Sequence, residues 1–177
     1  MRVISGKFKG MNLVPFKGEE IRPTADRVKE SLFNILSPNI AGARALDLFC
    51  GSGSLGIECL SRGAKSVHFN DISKDSLAVL KKNLSRIRDC SYIVTNYDYA
   101  LCLSKTDKFD LIFIDPPYAS EAGVRALELI AGGHMAEGGV AVYERDRSFE
   151  GEVQGLEKFD ERKYGKIYLA FFRPSSK

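Results

Sequence analysis

The chain has 177 residues, 44% hydrophobic and 28% charged, with four cysteines and a net charge of +3. That composition fits one globular domain with a full core, and it excludes a disordered, collagen-like or disulfide-framed chain. No charged start precedes an apolar segment and no apolar run reaches membrane-spanning length, so a soluble, reducing, cytoplasmic setting without a membrane partner is expected.

Charge is uneven along the chain: residues 1–18 hold Arg2, Lys7, Lys9 and Lys17 and no acid. The opening "RVISGKFKGMNLVP" predicts two short strands, Arg2–Ser5 and Met11–Val14, around a basic turn with Gly6 and Gly10. In "TADRVKESLFNILS", Thr24 is the expected N-cap of a helix whose Val28, Leu32, Ile35 and Leu36 share one face. Strand and helix then alternate. Strands are predicted at Ala45–Phe49, Ser66–Asp71, Ser91–Thr95, Phe109–Ile114 and Gly139–Tyr143. Helices are predicted near Ser54–Arg62, Lys74–Ile87, Tyr97–Leu103 and Glu121–Ala131, with Ser73 an N-cap and Gly63 a helix-ending glycine. Such alternation means βαβ units: an α/β fold with a parallel sheet covered by helices on both faces. The final "LEKFDERKYGKIYLAFFR" reads as two strands around a turn at Tyr164–Gly165, which adds an antiparallel member.

Two turns carry the chemistry. "ALDLFCGSGSLGIE" holds Gly51, Gly53 and Gly56 between a strand and a helix, the G-x-G-x-x-G of a dinucleotide loop, with Asp71 placed to accept ribose hydroxyls. Asp47, four residues before Gly51, would repel a pyrophosphate but offset the ammonium and sulfonium of S-adenosylmethionine, whose carboxylate the loop N–H groups can meet. Asp98 is a candidate for the adenine amino group, or equally a helix-capping acid. The second turn, Asp115-Pro116-Pro117-Tyr118, ends a buried strand, and its paired prolines stiffen it. The Asp115 carboxylate and the Pro116 carbonyl can each accept an N–H of a nucleobase amine, aiming the nitrogen lone pair at a methyl donor. Tyr118 can stack on that base, a contact worth ~1–3 kcal/mol. Asp47, Asp71 and Asp115 lack ligand-like spacing, and the cysteines lack zinc spacing, so no metal is expected.

These motifs resemble class I S-adenosylmethionine-dependent amino-methyltransferases. More narrowly, "RVISGKFKGMNLVP", "IRPTADRVKESLFNIL", "LDLFCGSGSLGIECLSRGA" and "YGKIYL" resemble the bacterial RsmD family, over about residues 2–172. The resemblance implies a Rossmann-like class I methyltransferase fold, with a seven-stranded mostly parallel sheet ending in an antiparallel strand. A small N-terminal β-hairpin plus helix (1–40) would precede the core (41–177). It implies S-adenosylmethionine as cofactor, with S-adenosylhomocysteine as product, and methylation of N2 of a guanine in 16S rRNA. The expected partner is that RNA in an assembling or assembled small subunit, and the expected state a monomer. Asp47, Phe49, Gly51 and Gly53 would line the methionine side, Asp71 the ribose, Asp98 the adenine, and Thr24 the cofactor. Asp115, Pro116, Pro117 and Tyr118 would hold the base. Arg2, Lys7, Lys9, Arg22 and Arg27 are the expected RNA contacts, beside the catalytic edge. Cys50 stands where the family usually has Ala, and the opening hairpin uses lysines where it tends to arginine. Adenine-N6 methylation of DNA or RNA is the second reading; a nicotinamide oxidoreductase and a silent RNA-binding module are the others.

Overall fold

A computed structural model describes residues 1–17, 23–117 and 119–176, the side chains of Pro23 and Thr24 excepted. Arg22 and Tyr118 lie outside the described residues. Helix α1 (Pro23–Leu36) is followed by a short 3-10 turn (Ser37–Asn39). Then come β1 (Arg44–Asp47), α2 (Ser54–Ser61), β2 (Ser66–Asn70), α3 (Lys74–Leu84), β3 (Tyr92–Thr95), α4 (Tyr99–Ser104) and β4 (Phe109–Ile114). The chain continues through α5 (Ala122–Ala131), β5 (Met135–Arg145), β6 (Leu156–Tyr164) and β7 (Ile167–Pro174).

The strands form a seven-stranded sheet in the order β3-β2-β1-β4-β5-β7-β6. Neighbours from β3 to β5 are parallel, and β7 runs antiparallel to both β5 and β6. Leu111, Ile112, Phe113 and Ile114 are all buried, as a strand covered on both faces requires. Alternation sorts them: Leu111 and Phe113 pack with Val140, Val142 and the α1–α3 side chains, whereas Ile112 and Ile114 pack with α4 and α5. Strand order reverses between β1 and β4, so the segments following those two strands emerge side by side at the carboxyl edge.

Three expectations are corrected. Thr24 is not an N-cap; it lies inside α1, with Pro23 as first residue, a position that tolerates proline's missing N–H. The opening hairpin is reduced to one bridge, Arg2 with Asn12. Val3 N–H to the Met11 carbonyl (2.9 Å) and Leu13 N–H to the Met1 carbonyl (3.0 Å) flank that bridge, while donors that face away from the pair meet α2: Ile4 N–H the Glu58 carboxylate (2.9 Å), Lys7 N–H the Ser61 carbonyl (2.7 Å) and Phe8 N–H Ser61 Oγ (2.9 Å). Gly6, at φ +90°, permits this approach, because a Cβ there would stand 1.9 Å from the Ser61 oxygen. Third, the final turn comes one residue later than predicted, between Tyr164 and Ile167. Residues 1–40 build no separate core. Val3, Leu13, Val28, Leu32, Phe33, Leu36 and Ile40 join the sheet's own α1–α3 face.

Candidate active site

The glycine loop leaves β1 and is tied to the ends of its neighbours. Leu48 N–H bonds the Phe113 carbonyl (3.2 Å) and Cys50 N–H the Asn70 carbonyl (2.9 Å). Gly51 (φ +54°) and Gly53 (φ +86°) adopt the left-handed conformation that lets the loop turn this tightly. A Cβ on Gly53 would stand 2.2 Å from Leu80 Cδ1, and one on Gly56 2.3 Å from the Phe69 ring, so these two glycines also serve helix packing.

Asp47 is 2% exposed, and its Oδ2 accepts the Gly56 N–H at 3.0 Å, in the first turn of α2. In a dinucleotide site the pyrophosphate occupies a helix N-terminus of this kind. Here the protein's own carboxylate stands there. Asp71 closes the other side: Oδ2 accepts Gly51 N–H and Oδ1 accepts Ser73 N–H, both at 2.9 Å. A carboxylate has about four acceptor positions, so each oxygen keeps one for a ribose hydroxyl. Asp98 is exposed and caps α4 through Ala100 N–H (2.9 Å). Phe49 packs against Tyr99 with ring centroids 5.7 Å apart.

The turn after β4 completes the cleft. Asp115 is half-buried, Pro116 buried and Pro117 exposed. Ala119 follows at φ +64°, a left-handed conformation costly for a residue with a Cβ, of order 1 kcal/mol. Pro116 and Pro117 line a small open recess of ≈ 30 Å³ together with Tyr143, Glu144 and Arg145 at the end of β5.

Four residues that support this site were not singled out in the sequence. Asn70, 1% exposed, donates to the Leu48 carbonyl (3.2 Å) and the Tyr97 carbonyl (3.0 Å), and accepts from Thr95 Oγ1 (2.8 Å) and Tyr97 N–H (3.1 Å). Asn83 binds the Ser52 carbonyl in the glycine loop and both backbone groups of Val14. Lys29, 6% exposed, donates to Ser54 Oγ (3.0 Å) and the Arg2 carbonyl (2.9 Å). Burial lowers its pKa from 10.5, opposed by the Glu58 and Asp26 carboxylates. Glu58 is fully buried, with Arg62 at 3.4 Å. Their signal was faint: polar residues inside otherwise apolar strands and helix faces.

The basic residues are not gathered at one edge. Met1 Sδ stands 3.7 Å from Ser52 Oγ, whereas Lys7 and Phe8 meet Ser61, so the N-terminal segment runs the length of α2, about 12 Å. Lys7 therefore sits at the amino edge, where it meets Asp89 (3.6 Å) and the Arg88 carbonyl (3.3 Å), and Lys9 sits in the same turn. The expectation that these lysines border the catalytic edge is corrected. Arg2, paired with Asp26 at 3.5 Å, and the exposed Arg27 do belong to the edge where α1 begins.

Comparison with known proteins places this architecture. The sequence model of the family "Conserved hypothetical protein 95" matches residues 1–173. The chain belongs to the RsmD family of methyltransferases. Among RsmD relatives, the ribosomal RNA small subunit methyltransferase D of Haemophilus influenzae is 36% identical over 148 residues, 81% of this chain and 77% of that one. Its Escherichia coli namesake is 37% identical over 119 residues, covering 67% and 60%. The solved Escherichia coli protein yhhF, assigned as a methyltransferase, superposes with a TM-score of 0.89 at 28% identity, over 100% of this chain and 99% of that one. The T. thermophilus 16S rRNA N2 G1207 methyltransferase RsmC, in complex with AdoMet and guanosine, shares the fold at a TM-score of 0.70 and 20% identity, over 90% of this chain and 45% of that one. The RsmD sheet thus has the class I methyltransferase order, with its loop and proline turn at the switch point.

Proposed function

We propose that this chain transfers a methyl group from S-adenosylmethionine to the exocyclic N2 of a guanine in 16S rRNA of the small ribosomal subunit. The observation that carries the reading is the pairing of a carboxylate-capped glycine loop with the Asp115-Pro116-Pro117 turn at adjoining strand ends. The names of the relatives at 36% and 37% identity support ribosomal RNA as substrate.

The residues present fit the cofactor. Asp71 keeps acceptor capacity toward a ribose, Gly51 and Gly53 let backbone come close, and Asp47 supplies negative charge while blocking a pyrophosphate. When bound, S-adenosylmethionine supplies an electrophilic methyl on a cationic sulfur. The chain's own groups do the rest. The Asp115 carboxylate and the Pro116 carbonyl each accept one N–H of the target amine, so its lone pair faces the methyl carbon. With the methyl donor bound, Asp115 would also take the proton that the amine gives up on methylation. Holding the reactants in line in this way is worth several kcal/mol of barrier.

The test is methyl transfer from radiolabelled S-adenosylmethionine to 16S rRNA and to small subunits lacking the modification, followed by nucleoside identification. N2-methylguanosine is the expected product; N6-methyladenosine would establish the other amine. S-adenosylhomocysteine should raise the melting temperature and NAD should not. Asp115→Ala should lower the rate at least ~100-fold, with cofactor stabilisation retained.

A further inference from the structure

The proline turn supplies acceptors for an amine, yet guanine N2 and adenine N6 present the same two N–H groups. What separates the bases is the neighbouring ring nitrogen. Guanine N1 carries a hydrogen beside its amine, whereas adenine N1 carries a lone pair. A site that selects guanine therefore needs a second acceptor next to the one that holds the amine.

The β4–β5 register provides it. Ile114 pairs with Tyr143, so Asp115 and Glu144 are the next residues on adjoining parallel strands. Alternation puts Glu144 on the face of Val142, and Asp115, kept extended by the proline after it, on the face of Phe113. Val142 and Phe113 pack on the same side of the sheet. Two half-buried carboxylates thus stand together at the carboxyl edge, and Glu144 lines the same recess as Pro116 and Pro117.

We propose that Glu144 is the guanine-selecting residue, its carboxylate accepting the N1–H of the base whose amine is held by Asp115 and Pro116. This rests on the methyltransferase reading above. An adenine in that place would set its N1 lone pair against the carboxylate, leaving two acceptors facing each other with no hydrogen between them. Neighbouring Tyr143 and Arg145 shape the recess wall, with the Arg145 guanidinium 5.2 Å from the Tyr143 ring centre.

The experiment compares wild type, Glu144→Gln and Glu144→Ala in methyl transfer to 16S rRNA lacking the modification. Once the methylated position is mapped, a second RNA carries 2-aminopurine there, which keeps the amine and lacks N1–H. The wild type should methylate guanine at least ~10-fold faster than 2-aminopurine. Glu144→Gln should lose ~10- to 100-fold on guanine and show no preference between the two bases, because a carboxamide can donate to the bare N1. Both variants should keep the S-adenosylhomocysteine-induced rise in melting temperature, which separates a lost base contact from a lost fold. A variant with the wild-type preference would overturn the assignment of Glu144 while leaving the N2 reading intact. N6-methyladenosine from the wild type would overturn the N2 reading itself, and the role of Glu144 with it.

Discussion

Asn70 spends its whole hydrogen-bonding capacity, two donors and two acceptors, in tying together the segments that follow β1, β2 and β3. Beside it, His68 is 7% exposed, and its Nε2 stands 2.8 Å from Thr95 Oγ1. Burial lowers its pKa below the ordinary 6.5. The unfolded chain then takes up a proton at higher pH than the folded one, so this group costs stability as pH falls below 6.5. The urea midpoint should therefore drop between about pH 7 and pH 5.5, and His68→Gln should flatten that dependence. An unaltered slope in the variant would remove His68 as its source. At this scale the strand-end acids were visible in the sequence, because Asp47, Asp71 and Asp115 each follow an apolar run. Asn70 and Lys29 were not, because a polar residue within an apolar segment shows its purpose only when its partners arrive from other elements.

Among the elements, α2 has two tasks. Its first turn faces the glycine loop, and its flank carries the N-terminal segment through Glu58 and Ser61. Glu58 lies fully buried against the Ile4 N–H and Arg62, with Lys29 and its lowered pKa close by. Removing its carboxylate leaves buried positive charge and a bare N–H. Glu58→Ala should cost about 3 kcal/mol of stability, measured by urea unfolding, and should expose residues 1–17 to proteolysis ahead of the core. If the loss stayed below about 1 kcal/mol, the segment would be held mainly by its other contacts, Val3 and Leu13 in the core and the bonds to Ser61, Lys29 and Asn83. The opening strands were misjudged for a related reason. Val3 and Leu13 do donate across the pair, to Met11 and Met1, but the turn between them folds onto α2, which takes the Ile4, Lys7 and Phe8 N–H groups, and the ladder stays one bridge long. Strands β1, β2 and β4 were readable to within a residue or two because burial on both faces leaves a continuous apolar run, whereas β5 starts at Met135, well before the predicted Gly139.

Over the whole molecule, the cationic residues divide between two edges. Arg2 and Arg27 flank the carboxyl edge with its two turns, while Lys7 and Lys9 sit at the far end of α2. RNA that reaches the cleft should feel the first pair. Arg27→Glu should weaken binding to 16S rRNA and reduce the slope of log affinity against log salt by about one. Reversal of both Lys7 and Lys9 should change that slope less; an equal or larger change would mean that the RNA wraps around to the amino edge. The sequence by itself determined the alternation of strands and helices, the glycine and proline turns, and which acids end the strands. Those features are local, set by hydrophobic period, by φ preference and by residue type. Tertiary structure decided the rest. Strand order and register set the loop after β1 beside the turn after β4, and Glu144 beside Asp115. The fold also turned Asp47 into the helix start and carried the lysines away from the cleft. These outcomes depend on contacts between residues tens of positions apart. Which partner each one meets is a property of the packed core, and no local pattern in the chain records it.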